Sequence, residues 1–228
     1  MLYSLENVKA NLRNRDGKRV FYQGKGDQLT SEARDFLQRE RIEILPAEQA
    51  KPDAYRLLGG GTVAEKPEHF THLNGDVLVP KTHPRIRFRG AMDTLEAELL
   101  LCPPGEEVRQ VLETARKILR WEVLEQPVQE ETICGLTPAE LRRRSHFPQE
   151  FYGVPHFMPD FSDSLPLRQV NRARCAARSA ELAAVEAFTD RDGELTRPDI
   201  VQLLNRMSSM LYLIMIGMKA HGSGTTDR

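Results

Sequence analysis

Cysteine is scarce in this chain. Its three cysteines, Cys102, Cys134 and Cys175, sit on separate stretches of the 228 residues. They give neither the even, closely spaced set of a disulfide framework nor the paired spacing of a zinc site, so a reduced cytosol is the expected compartment. A charge excess is also missing: 32 Lys and Arg stand against 33 Asp and Glu, a net charge of −1. That balance excludes a dedicated nucleic-acid or membrane-surface binder, which would be basic. There is no long hydrophobic run either. The longest, Leu211–Met218, reads LYLIMIGM and is too short to span a bilayer, so it is expected to be part of a core helix of a soluble protein. The first residues, MLYSLENVKANLRNRD, carry charge throughout and lack the apolar stretch of a secretory signal. What is present is 40% hydrophobic residues, enough for a real core and too many for a disordered chain.

Residues 18–45 read as a small α/β unit. KRVFYQ (18–23) has strand propensity, TSEARDFLQRE (30–40) has Thr30 as a helix cap, and RIEIL (41–45) alternates again. Residues 46–69, with three prolines and Gly59–Gly61, read as a linker or mobile loop. From about residue 80 the signal is helical. Met92, Leu95 and Leu99 share one face; Val108, Leu112, Ala115, Leu119 and Val123 define a second helix; LTPAELRRRSH (136–146) carries a capping box at Thr137 and Glu140. An aromatic loop over 148–166 precedes a helix from about Leu167 to Phe188, and a last helix starts at Arg197-Pro198. The expectation is a mainly α protein: an up-and-down bundle of about five helices over 63–220, a small N-terminal α/β extension over 1–62, and a flexible tail over 221–228.

Arg174, Arg178 and Glu181 stand at i, i+4 and i+7, so all three project from one helix face. Arg168 and Arg172 precede them with no acid in between, and the intervening residues are mostly alanine. Arginines so placed repel one another unless an anion lies among them; the alternative is a solvated basic stripe. A second basic run, PKTHPRIRFRG (80–90), follows THLNGD (71–76), whose turn could offer backbone N–H groups to an anion. Together the segments suggest a polyphosphate clamp. Asn205 lies at the polar edge of an apolar helix, where a structural hydrogen bond is the commoner use. His69 and His72 form an isolated pair with no further ligand at metal-binding spacing.

In this order the segments resemble the ATP:corrinoid adenosyltransferases, most closely the ethanolamine-utilisation (EutT-like) type and, through it, the PduO-type enzymes. The likeness runs through KPEHFTHLNGDVLVPKTHPRIRFRGAMDTLEAELL, ARCAARSAE (173–181) and RPDIVQLLNRMSSMLYLIMI (197–216), colinear over roughly residues 64–218. The resemblance implies transfer of the 5′-deoxyadenosyl group of ATP to cob(I)alamin, with Mg²⁺ accompanying ATP. It gives Lys81, Arg174 and Arg178 to the phosphates, with Thr71 and Asn74 in the preceding turn. Glu181 would orient an arginine or help hold Mg²⁺, Asn205 would contact the nucleotide, and Asp93 would pair with the first arginine across a subunit boundary. Phe157, then Phe161, would meet the corrinoid. It further implies a cytoplasmic homo-oligomer, trimer or dimer, with sites at subunit interfaces, and association with a reductase, a coenzyme-B12-dependent lyase such as ethanolamine ammonia-lyase, or a bacterial microcompartment.

The sequence departs from the relatives at several points. The glycine-rich phosphate loop is partial, QGKGDQLT (23–30) being a weaker echo; Leu182 replaces an arginine and Ser209 an aspartate; and the relatives' cysteine cluster is missing. No resident iron or zinc on Cys or His is therefore expected. Two other readings compete: a non-catalytic corrinoid carrier or sensor on the same bundle, and an RNA-binding helical module, which the neutral charge and the lack of stacking aromatics beside the arginines disfavour.

Overall fold

The computed structural model describes residues 1–15, 18–50, 54–129 and 132–222. They group into two compact units, Met1–His83 and Pro84–Arg228. In the first unit β1 (Leu2–Tyr3) is followed by α1 (Leu5–Ala10), capped by Ser4. β2 (Arg13–Arg15) pairs antiparallel with β3 (Lys18–Gln23). After β4 (Gln28–Leu29), the partner of β1, α2 (Ser31–Arg39) begins at Thr30, whose hydroxyl accepts the Ala33 N–H as expected of a cap. α2 then leads to β5 (Glu43–Pro46), which lies parallel to β3. The β3–α2–β5 crossover buries Val20, Phe21, Ala33 and Leu37.

Residues 46–69 are not a plain linker. They hold a 3₁₀ turn, β6 (Tyr55–Leu57) and β7 (Thr62–Val63), joined through Gly60 and Gly61, whose φ values of 100° and 85° suit residues without a Cβ. β6 also pairs with β9 (Val77–Pro80), itself hairpinned to β8 (Phe70–Asn74), giving the strand order β7-β6-β9-β8. Partners twenty residues downstream give this stretch its order, which its Pro and Gly content conceals. Residues 63–83 thus group by contacts with the N-terminal unit, where the sequence reading starts the bundle at 63.

The second unit is helical: α3 (Pro84–Leu100), α4 (Glu106–Val123), α5 (Pro138–His146), the short α6 (Pro148–Tyr152), α7 (Leu165–Phe188) and α8 (Pro198–Gly222). Five of these are the helices expected from periodicity, and the capping box of Thr137 and Glu140 forms. Ion pairs mark their antiparallel order: Arg87 of α3 to Glu186 near the end of α7, Arg172 near its start to Glu98, and Arg116 of α4 to Glu96. On α4 the buried face is Val108, Val111, Ala115, Ile118 and Glu122, while Leu112 and Leu119 are only half-buried.

Along α7, Ala173, Ala177, Ala180 and Ala184 are fully buried. Small side chains at i, i+4, i+7 and i+11 let α3 and α8 approach closely. α8 is long and apolar enough, by length and composition, to cross a membrane, but half of that stretch is buried within the bundle, including Ile200, Leu204, Met207 and Leu211. The tail expected over 221–228 falls mainly on 223–228, outside the described residues; α8 itself reaches Gly222.

Candidate active site

Four segments of the helical unit meet at a cleft of about 420 Å³: Ser145 and His146 closing α5, the loop 156–159, Arg174 and Arg178 of α7, and Ser208, Ser209, Tyr212 and Met215 of α8. Three of the sequence-assigned residues, Phe157, Arg174 and Arg178, come together here. Arg174 Nε donates to Asn171 Oδ1 at 3.1 Å, and among the described residues neither arginine is ion-paired. One turn further along α7 and α8, Glu181 Oε1 accepts from Asn205 Nδ2 at 2.8 Å, so the residues proposed for nucleotide and Mg²⁺ are joined to each other. Asn205 Oδ1 accepts from the Arg206 guanidinium, whose Nε is buried with no partner among the described residues. Burial first, and then the neighbouring Arg142 charge, push the Arg206 pKa below its ordinary value, against the pull of Glu181.

Much of the remaining lining of the cleft is apolar and aromatic. The Phe157 ring lies 5.9 Å from Tyr212, with the Lys219 ammonium 5.2 Å from its centre. His156 Nε2 is 3.0 Å from the His146 carbonyl oxygen and Nδ1 is 3.0 Å from the Tyr212 hydroxyl. A carbonyl only accepts, so Nε2 carries a proton, and Nδ1 of the neutral ring accepts from Tyr212.

The remaining assigned residues lie elsewhere. Phe161 is 93% exposed and does not line the cleft. Asp93 is exposed on α3. Lys81, Thr71 and Asn74 belong to the N-terminal unit: Thr71 and Asn74 pair with Val79 and Val77 across the β8–β9 hairpin, whose turn passes through Gly75. Lys81 Nζ contacts Glu68 at 2.9 Å and holds that carboxyl below its ordinary pKa. Both partners are largely exposed, so the pair exchanges readily. The second basic run is a correction to the expected clamp. α3 already starts at Pro84, and Arg85 and Arg89 both close on the buried Glu122, at 2.6 and 2.7 Å. Their charge serves the bundle interior. Among the described residues no three His, Cys, Asp or Glu are grouped so that they could hold a metal ion, and His72 Nδ1 contacts the Gly75 carbonyl.

Sequence reasoning missed Tyr212, His156, Ser208 and Arg206. The signal was present on α8, where Asn205, Ser208, Ser209 and Tyr212 fall at i, i+3, i+4 and i+7 on the face that turns to α7. A wider hollow of about 650 Å³ at the α7–α8 turn offers less, because Arg85 and Arg197 in its wall already pair with Glu122 and Asp199.

The cobalamin adenosyltransferase family model matches residues 145–218, the segment that supplies the cleft. Corrinoid adenosyltransferase EutT of Salmonella typhimurium strain LT2 is 32% identical over 188 residues, covering 80% of this chain and 70% of that protein. This chain belongs to the corrinoid adenosyltransferase family. The Escherichia coli K12 corrinoid adenosyltransferase EutT is 31% identical, with 78% and 69% covered. Among solved structures, a variant PduO-type ATP:corrinoid adenosyltransferase from Lactobacillus reuteri, complexed with cobalamin and ATP, is similar at a TM-score of 0.44 and 13% identity, over 77% of this chain and 92% of that one.

Proposed function

We propose that this corrinoid adenosyltransferase transfers the 5′-deoxyadenosyl group of ATP to cob(I)alamin, forming adenosylcobalamin, with the α7–α8 cleft as the reaction site. One observation carries the assignment of the site: the two guanidiniums of Arg174 and Arg178, free of ion pairs among the described residues, line one cleft together with Phe157, Met158, Pro159 and Met215. The chemistry needs that combination. The Co(I) nucleophile attacks the ribose 5′ carbon, the C5′–O bond breaks, and the oligophosphate departs with the bonding pair. Fixed guanidinium charges aimed at the departing oxygens stabilise that developing charge more than the bound substrate. The face of the corrin macrocycle suits the aromatic part of the lining, and the amide groups at its rim suit the polar part.

In this reading Arg174 and Arg178 hold the phosphates, and the Glu181–Asn205 pair orients the nucleotide. Glu181 Oε2, which accepts no hydrogen bond among the described residues, fits a single-carboxylate contact to Mg²⁺, which takes its other ligands from phosphate and water and neutralises phosphate charge. Arg206, with its unpartnered Nε, adds positive potential one turn away. Lys81, Thr71 and Asn74 are assigned to ATP, and Asp93 to an intersubunit contact, by resemblance. Exposed Leu182 and Val185, a turn apart on α7, support a homo-oligomer, trimer or dimer. A cytoplasmic enzyme supplying a coenzyme-B12-dependent lyase, with a reductase upstream and a microcompartment as its setting, completes the reading.

The test is anaerobic incubation with ATP, Mg²⁺ and chemically reduced cobalamin while the corrinoid spectrum is followed. Formation of the Co–C product is expected, and Arg178→Ala should lower turnover by at least 100-fold, about 3 kcal/mol of transition-state stabilisation, with an unchanged circular dichroism spectrum. Corrinoid binding without alkylation by the wild-type chain would instead identify a carrier.

A further inference from the structure

We propose that Tyr212, acting with His156, is a positioning residue for the corrinoid: its hydroxyl latches the 154–160 loop to α8 and so fixes Phe157 in the lining of the cleft. The inference rests on reading that aromatic lining as the corrinoid site.

The loop has no regular secondary structure, and His156 and Met158 are exposed. Nothing in its own backbone would hold an aromatic ring in one place. The hydroxyl of Tyr212 supplies the hold twice: it accepts the Phe157 backbone N–H at 3.4 Å and donates to His156 Nδ1 at 3.0 Å. His156 in turn stacks on the Tyr212 ring, with centroids 5.7 Å apart and planes 11° from parallel, while its Nε2 is anchored on the last carbonyl oxygen of α5. Two turns further along α8 the loop is tied again. Asp163 accepts the Asp160 N–H at 2.8 Å and pairs with Lys219, whose ammonium lies over the Phe157 ring. Phe157 is thus held at two points by one helix. Packing alone would be served by phenylalanine at position 212; only the hydroxyl makes both polar contacts.

Tyr212→Phe keeps the ring, the stack and the filled volume, and removes the latch. In steady-state assays with reduced cobalamin and Mg-ATP, the expected result is a KM for corrinoid raised about 10-fold, the scale of one lost hydrogen bond, with the KM for ATP unchanged. Hydrogen exchange at the Phe157 amide should quicken by a similar factor, and His156→Ala added to Tyr212→Phe should cost little more, because the two act as one unit. A corrinoid KM within twofold of wild type overturns the proposal, as does a parallel rise in both KM values, which marks general damage. Should the wild-type chain form no Co–C bond, the reaction assignment fails; the exchange measurement then decides the latch alone, and an unchanged Phe157 amide rejects it.

Discussion

Glu122 has no exposed surface, and Arg85 and Arg89 bring two guanidiniums to within 2.7 Å of it, with Arg85 also reaching its backbone carbonyl. Pairing of that kind offsets desolvation only while every partner is present. Glu122→Gln leaves two partly buried cations facing a neutral amide, and a loss of about 3–5 kcal/mol is expected in urea unfolding, by the magnitude known for broken buried pairs. Turnover per folded molecule should be kept, because the cluster lies outside the cleft. The same cluster shows where the sequence misleads. PKTHPRIRFRG displays three arginines, and the carboxylate that Arg85 and Arg89 share arrives from another helix more than thirty residues later, while Arg87 pairs with Glu186. A charge pattern records what is nearby in the chain, not what faces it in space. Cys102 and Cys134 follow the opposite course: burial, reinforced by Glu98 and Glu107 respectively, pushes both thiols up to about 11, which fits packing rather than nucleophilic use.

At the scale of elements, helices with regular apolar spacing and clear caps were legible: Thr30 and Thr137 cap as their sequence implies, and α7 ends at Phe188. Strands β6 to β9 were not, since their order comes from pairing between segments whose local composition says turn. The α7 arginines were legible by their spacing alone, whereas the tie between α8 and the aromatic loop depends on contacts 55 and 56 residues apart. That tie has a pH signature. Hydrogen bonding from Lys219, and then from the Asp160 backbone, holds the Asp163 carboxyl below its ordinary pKa. A lowered folded-state pKa contributes stability that is complete above the unfolded value near 4 and is lost as pH falls through the folded value. Thermal melts of the wild type should therefore decline more steeply below about pH 4 than those of Asp163→Asn, with the two curves running parallel above about pH 6. Identical acid limbs would show that Asp163 gains nothing from Lys219.

On the scale of the whole molecule, the chain divides its labour: a strand-rich unit over Met1–His83 and a helical unit that contains the entire cleft. Sedimentation velocity should find a closed homo-oligomer, and a fully active, monodisperse monomer would contradict the subunit-interface reading. The cysteines lie far apart in sequence and the described residues present no three-ligand cluster, so activity is expected to survive exhaustive chelation once Mg²⁺ is returned. Elemental analysis that finds stoichiometric zinc or iron, whose loss stops turnover, would reverse that expectation.

The buried alanines of α7 have one more consequence. Besides the Glu181–Asn205 hydrogen bond, how far Arg174 and Arg178 stand from the helix that carries Asn205 is gauged by the methyl groups of Ala173, Ala177, Ala180 and Ala184, the smallest side chains with a Cβ. A branched residue at any of them would prise the helices apart and carry the guanidiniums with them. Four positions that line no part of the cleft are therefore restrained by the spacing of the two helices that do.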